Sequence, residues 1–441
     1  MATWRTLGAL CITLASFSTA LAQSYNLSET VKAGDCFRLH LDLSLSGEMK
    51  VAKDGEVIAL KREARAAHEF PERVLTIGPA GLPAKVARVY EKAGATLALN
   101  GESSQRVLRP ERRLFVVQRY KDQPLAYSPA GSLTREELEL ADHFDTLAIT
   151  GLLPGKDVAP GENWKVTNAV AQALCNFDGM TEQTLVCKLE EVKEQTARVS
   201  VTGAATGIDL GALVKLTVDA SYIFDLNGKR LTRLEWKQKE ERDQGPVSPA
   251  MTASATTTLT RTAIEQPETL SDVALVSVPD GFEPPLPLTQ LEYRNPKAGY
   301  TMSYGRDWQI VSQTEEHLVM RLVERGDFVA QATLTPWTSA DKGKHLSPDD
   351  FREAMSETPG WDVEQELQAG EVPADGGRWI YRISALGQLD GNKVLQNFYL
   401  VAGPGGEQIV VAFTLTPKQA DRLGTRDLSL AVSIDFGGSR K

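Results

Sequence analysis

Strict alternation of apolar and polar residues marks the stretch from Leu213 to Asp225 as a β-strand. Such alternation is typical of a sheet with one buried and one solvated face. Asn227-Gly228 follows, a strong hairpin signal, and Arg230 to Lys239 is the predicted partner strand. The apolar face of the first strand consists of Leu216, Val218, Ala220, Tyr222 and Phe224.

Similar patterns extend over residues 23–277 and predict a large antiparallel β-rich domain. The further strands are expected near Phe37–Leu45, Val57–Leu60, Leu114–Val117 and Thr252–Thr262, and Val86–Leu99 fits either a strand or a helix. One helix is predicted from Arg135 to about His143, because Thr134 and Glu137 have the spacing of a capping box.

A proline-rich stretch, residues 278–288, separates this domain from a smaller one at 289–441. Its four prolines favour extended backbone and predict a semi-stiff connector. The smaller domain alternates strands with two helices, which begin at Ser347-Pro348 and Thr416-Pro417. The predicted fold class is therefore α+β.

The C-terminal third of the chain contains a series of motifs, which in chain order are Tyr293, Pro296, Gly299-Tyr300-x-Met302-x-Tyr304, Trp308, Thr335-Pro336, the helix start at Ser347–Phe351 and a closing helix. In these motifs it resembles the PsbP/DcrB-like superfamily. Gly305 stands where many members have a proline. The resemblance implies an α/β/α sandwich with an antiparallel sheet, used for binding partners rather than for chemistry. The N-terminal region resembles uncharacterised secreted bacterial β-rich proteins, to which no activity is attached.

The first 22 residues have the composition of a secretory signal peptide. Arg5 precedes an apolar run from Leu7 to Ala22, which ends in Ala20-Leu21-Ala22. The run is shorter than the roughly 20 apolar residues that span a bilayer. We expect cleavage near Ala22 and a protein without a transmembrane span, located in the periplasm, the cell envelope or outside the cell.

The net charge limits the partners that we expect, and the positions of the cysteines suggest one disulfide. The net charge of −10 argues against nucleic acid or an anionic membrane as the main partner, since both require basic patches. Cys36, Cys175 and Cys187 follow the predicted signal. In an oxidising compartment the near pair Cys175 and Cys187 is the predicted disulfide, with three buried thiols as the alternative.

No stretch carries a recognised catalytic or metal-binding signature. The histidines lack zinc-site spacing, and neither Gly-x-Ser-x-Gly nor Cys-x-x-Cys occurs. Asp142-His143-Phe144-Asp145 superficially resembles an acid–base cluster, but a histidine closing a helix is explained by the helix dipole. Asp341 and His345 are expected to lie in a surface loop. We therefore predict no metal, no cofactor and no enzymatic activity.

Three functional hypotheses follow. The first is a non-enzymatic binding or assembly protein of the cell envelope, which engages a protein partner through Trp337 and Trp361. The second is a carrier of an apolar ligand such as a lipid, held on the β-rich lobe by Leu216, Val218, Tyr222 and Phe224. The third is a secreted hydrolase with an unrecognised site.

Overall fold

The computed structural model describes residues 23–53, 56–120, 123–141 and 144–437. Across these residues the fold is mostly antiparallel β-structure, arranged in sheets of two, fourteen, three and seven strands. The predicted signal peptide and the pair Asp142-His143 lie outside the described residues.

The fourteen-stranded sheet occupies the N-terminal part of the chain. Two strands of this part, β1 and β9, form a separate two-stranded sheet, and the others belong to the large sheet. The strands are β1 (Tyr25–Asn26), β2 (Cys36–Lys53), β3 (Glu56–Ile77), β4 (Pro83–Val89), β5 (Lys92–Leu99), β6 (Glu102–Val107), β7 (Leu114–Tyr120), β8 (Gln123–Tyr127), β9 (Asp157–Val158), β10 (Asn163–Lys165), β11 (Gly179–Gln183), β12 (Val186–Lys193), β13 (Thr196–Asp209), β14 (Ala212–Asp225), β15 (Arg230–Arg242) and β16 (Ala250–Ile264). Neighbours follow the order β10-β12-β13-β14-β15-β16-β2-β3-β4-β7-β8, while β5 pairs with β3 and β6, and β11 pairs with β13.

The predicted hairpin is confirmed as β14 and β15. The strands pair from Val214 with Arg242 to Asp225 with Arg230. The loop between them has four residues, and Lys229 adopts a left-handed φ of 48°. The predicted apolar face is buried, because alternate side chains of β14 point to the interior of the curved sheet.

Helices cover part of this inward face. They are α1 (Arg135–Ala141), α2 (Asn168–Leu174) and a 3₁₀ helix at Thr146–Leu152, with two further short 3₁₀ helices at Pro110–Arg112 and Glu268–Leu270. The predicted capping box of α1 is confirmed, since the Thr134 backbone N–H donates to Glu137 Oε2 (2.9 Å) and the Glu137 N–H donates to Thr134 Oγ1 (3.2 Å). The ambiguous stretch Val86–Leu99 forms strands.

The C-terminal part contains a seven-stranded and a three-stranded sheet. Its elements are α3 (Leu286–Thr289), β17 (Leu291–Asn295), β18 (Tyr300–Tyr304), β19 (Trp308–Gln313), β20 (Leu318–Glu324), β21 (Asp327–Trp337), α4 (Pro348–Ser356), β22 (Trp361–Val372), β23 (Trp379–Leu389), β24 (Asn392–Ala402), β25 (Gln408–Leu415), a 3₁₀ helix (Pro417–Gln419), α5 (Ala420–Leu423), α6 (Arg426–Ser433) and β26 (Asp435–Phe436). The orders are β19-β20-β21-β25-β24-β23-β22 and β17-β18-β26.

Helices of this part pack against different side chains of β24. Phe351 and Met355 of α4 join a small core with Phe398, whereas Leu430 of α6 joins the main core, which contains Tyr399. The closing helix is not continuous as expected. Gly424 has a φ of 59° and separates α5 from α6, because this left-handed conformation cannot continue an α-helix.

The proline-rich stretch is held against the large sheet. The Lys85 ammonium on β4 donates to the carbonyl oxygens of Pro279 and Gly281, and Gln118 on β7 donates to that of Phe282 at 2.6 Å. The stretch is therefore fixed by hydrogen bonds, which the sequence prediction of a connector did not include.

The predicted disulfide is absent. Cys36, Cys175 and Cys187 are free and buried. The chain after Cys175 forms β11, which pairs with β13, and then carries Cys187 into β12, where its Sγ lies 3.6 Å from the Leu152 carbonyl oxygen. Cys175 thus closes α2 and Cys187 lies on β12, and burial raises the pKa of each to about 12.

Candidate functional site: a cavity on the inward face of the large sheet

A cavity of about 390 Å³ lies between the inward face of the large sheet and its helical cover. Pockets that bury small ligands typically measure about 300–1,000 Å³. Most of its wall is aliphatic or aromatic: Leu43, Leu45, Ala64, Ala66, Ala95, Leu97, Leu140, Phe144, Leu174, Phe177, Val214, Leu216, Trp236, Met251 and Ala255.

The cavity exists because side chains on the inward face change in size along the strands. At one end the face is filled by large side chains such as Phe70, Tyr222 and Phe224, each at most 1% exposed. Four to six residues along β3 the same face carries Ala66 and Ala64.

Across the sheet, alanine alternates with leucine. Ala64 pairs with Leu45 on β2 and with Leu97 on β5, and Leu45 pairs with Ala255 on β16. The two alanines of this row leave a volume that the helical cover does not fill.

The cover is built from α1, Phe144, and the end of α2 with the residues that follow it. Leu140, Phe144, Leu174 and Phe177 contribute side chains to the wall. The Phe144 ring lies 6.3 Å from that of Trp236, between centroids, which ties the cover to β15. The roof is therefore apolar like the floor.

The four residues predicted to hold an apolar ligand all lie on the inward face of the sheet, but only one of them lines the cavity. Leu216 lines the cavity. Val218, Tyr222 and Phe224 are buried outside its lining, and Tyr222 Oη donates to the Leu152 carbonyl oxygen of the 3₁₀ helix at 3.3 Å. Sequence reasoning missed the alanine floor, although the alternation of Arg62, Ala64, Ala66 and His68 on β3 contains its signal.

One end of the cavity carries charges. Arg106 pairs with Glu139 at 2.5 Å, and Arg242 pairs with Asp209 at 2.6 Å and with Glu240 at 2.8 Å. The Glu139 side chain is 52% exposed, so solvent reaches this end. The cavity is thus amphipathic, with an apolar interior and a charged mouth.

Arg62 lines the same end without a partner. It is half-buried and forms neither a hydrogen bond nor an ion pair with the residues that the structure describes. Burial lowers its pKa, against the attraction of Glu139 and Glu240. It stays protonated because the ordinary pKa of a guanidinium is so high.

The predicted partner-binding tryptophans lie elsewhere, in the C-terminal part. Trp361 is 6% exposed and packs edge-to-face on Phe398, with ring centroids 6.2 Å apart, beside a groove between α4 and β22. Trp337 is half-buried against the same small core. Partner binding through either residue stays a prediction.

The other chemical candidates have structural roles where they are described. Asp145 forms an ion pair with Arg119 at 2.5 Å and caps the 3₁₀ helix, although burial raises its pKa. His345 stacks on Trp379 at 3.6 Å, and Asp341 pairs with Lys344. Within the described ranges, no group of three or more His, Cys, Asp or Glu residues could hold a metal ion.

Among the residues with described structure, no helix combines the length and apolar character needed to cross a bilayer.

Comparisons with known proteins gave remote structural likenesses. No protein-family profile and no curated protein matches the chain. The solution structure of cyanobacterial PsbP (CyanoP) from Synechocystis sp. PCC 6803 is 14% identical, covers 36% of this chain and 99% of its own, and has a TM-score of 0.27.

Two other solved structures match to a similar degree. The Ran-binding protein Mog1p of Saccharomyces cerevisiae is 10% identical, with 33% of this chain and 94% of its own covered and a TM-score of 0.26. A structure of lipovitellin, described for lipid–protein interactions, is 8% identical, with 53% and 25% covered and a TM-score of 0.32. All three matches are below 15% identity with TM-scores below 0.35, and none of them establishes a family or a function.

Proposed function

We propose that this protein is a binding protein without catalytic activity, which carries a small apolar ligand in the cavity of the large sheet. The observation that supports it is the cavity itself, an apolar volume of about 390 Å³ with a charged mouth. The apolar wall of this cavity lacks the van der Waals contacts of a close-packed core and is open to solvent at the charged mouth. A bound ligand would restore the missing contacts.

The proposal takes up the second of the sequence hypotheses. A protein partner docked through tryptophan anchors has less support, because Trp361 is buried. We propose further that the protein acts outside the cytoplasm, as the predicted signal peptide requires, and that the C-terminal part is an α/β/α sandwich of PsbP/DcrB type.

Binding of a neutral apolar fluorophore tests this function directly. We expect N-phenyl-1-naphthylamine to bind the protein without its predicted signal peptide, with a rise in fluorescence that saturates. Ala64→Leu places three more carbons in the cavity floor and should weaken binding by about tenfold or more, because the added side chain occupies the ligand's volume.

The control is Ala59→Leu on the opposite face of the same strand. Ala59 is exposed, so this substitution should leave the fluorophore affinity unchanged. Thermal denaturation of both variants establishes that they fold. Absence of saturable binding to the wild type, or equal affinities for the wild type and Ala64→Leu, would refute the carrier function.

A further inference from the structure

The strand β3 contains both the alanines of the cavity floor and Arg62, which has no hydrogen-bond or ion-pair partner among the described residues. Arg62, Ala64 and Ala66 alternate along one strand and therefore share its inward face. Arg62 pairs in register with Gly47 and Leu99, so no polar side chain lies directly beside it on the neighbouring strands. A guanidinium has five donors, and the described residues satisfy none of those of Arg62.

The two acids that attract Arg62 electrostatically are already bound to other arginines. Glu139 pairs with Arg106, and Glu240 pairs with Arg242. Arg106 also lies 3.7 Å from Glu136, and Arg242 also binds Asp209. Three arginines and three acids line this end, but the ion pairs leave Arg62 as the cation whose hydrogen bonds are unmade.

Burial removes part of the hydration of the Arg62 guanidinium, whose nitrogens are not among the fully buried unpaired atoms, and an anion there would replace water with charge-assisted hydrogen bonds. Arginine binds carboxylates and phosphates through two parallel hydrogen bonds. Since the apolar wall begins beside Arg62, an anion bound there would lie at the end of a hydrocarbon-lined space.

We propose that Arg62 binds the anionic headgroup, a carboxylate or a phosphate, of a single-chain amphiphile whose hydrocarbon chain fills the cavity. This inference rests on the proposed function and names its ligand class. The floor from Arg62 to Ala66 spans four residues, or roughly 13 Å at about 3.3 Å each. That length suits a chain of roughly ten carbons with bonds of ~1.5 Å.

Three ligands with the same chain and different headgroups test the proposal. Decanoate, decyl phosphate and decanol are titrated against protein that holds N-phenyl-1-naphthylamine, and displacement is followed by fluorescence. For the wild type we expect at least one of the two anions to bind about tenfold or more tightly than decanol, since it gains charge-assisted hydrogen bonds. The stronger of the two anions identifies the headgroup as carboxylate or phosphate.

The variants assign this preference to one side chain. Arg62→Met should weaken the preferred anion by about tenfold and leave decanol unchanged, whereas Arg62→Lys should keep part of the preference. Arg65→Met is the matched control, because Arg65 is exposed on the opposite face of β3 and should have no effect.

The possible outcomes distinguish a failure of the headgroup assignment from a failure of the carrier function. If all three ligands bind the wild type equally, or if Arg62→Met retains the anion preference, the headgroup assignment is overturned and the carrier function stands. If neither the fluorophore nor any ligand binds, both are overturned. The wild-type comparison requires no variant, so it decides even if a substitution impairs folding.

Discussion

Arg62 and His68 lie six residues apart on the inward face of β3 and respond differently to burial. Burial disfavours the charged form of both side chains. The pKa of His68 falls to about 4, so this residue is neutral near pH 7. Arg62 keeps its proton in spite of its lowered pKa. One strand thus places a neutral ring at the closed end of the sheet and a permanent charge at the mouth of the cavity.

The neutral state of His68 predicts a loss of stability in acid. Between pH 6.5 and pH 4 the unfolded chain takes up a proton at this histidine and the folded protein does not, so stability decreases as the pH falls. The folded pKa of about 4, against the ordinary 6.5, predicts a loss of about 2–3 kcal/mol between pH 7 and pH 4.5.

Urea denaturation at the two pH values measures this loss. His68→Phe should show a smaller decrease than the wild type, by about that amount. His345, which is exposed, provides a control, since His345→Gln should show the same decrease as the wild type. An equal decrease for His68→Phe and the wild type would rule out His68 as the source.

The burial of the three thiols predicts how they react with a thiol reagent. At pH 8 the folded protein should react negligibly with 5,5′-dithiobis(2-nitrobenzoic acid), because Cys36, Cys175 and Cys187 are buried and thiolates form poorly there. In guanidinium all three should react without prior reduction. A mass increase of about two daltons on reduction would instead show a disulfide.

At the scale of elements, the sequence predicted those that local patterns determine. The hairpin of β14 and β15 is marked by alternation and by Asn227-Gly228, and α1 and α4 are marked by their N-terminal caps. The strand β22 was missed, because most of its residues are exposed and its charged side chains hide any alternation. Its conformation depends on pairing with β23, which is a tertiary contact that a local pattern does not encode.

The capping box of α1 predicts that one hydroxyl stabilises the cover of the cavity. Thr134→Ala removes the acceptor for the Glu137 N–H and should lower the free energy of unfolding by about 1 kcal/mol. Urea denaturation at pH 7 measures it. Thr134→Ser keeps the acceptor and should restore most of the stability, and an equal loss in both variants would contradict the capping role.

At the scale of the whole molecule, the main core is continuous between the large sheet and the C-terminal sheets. It contains Phe224 and Leu234 of the former together with Tyr304 and Phe413 of the latter. Hydrogen bonds join the same parts, including one from Arg306 to the Ala126 carbonyl oxygen at 2.6 Å. Neither this core nor the cavity could be derived from the sequence, because both depend on which distant strands become neighbours. The sequence also does not show that Arg62 lacks a partner among the described residues, because this too depends on which strands become neighbours.

The pairing of β16 with β2 joins residues that lie 200 or more positions apart in the chain, from Lys50 with Ala250 to Cys36 with Ile264. The chain loses the entropy of closing this long loop before the strand contacts stabilise it, and this makes folding slow. Until Ala250–Ile264 is available, β2 presents an uncovered edge of 18 residues on which other chains can pair. The polypeptide is therefore expected to require protection from aggregation until about three fifths of it has been synthesised or exported, and to lose its ligand site entirely when truncated before β16.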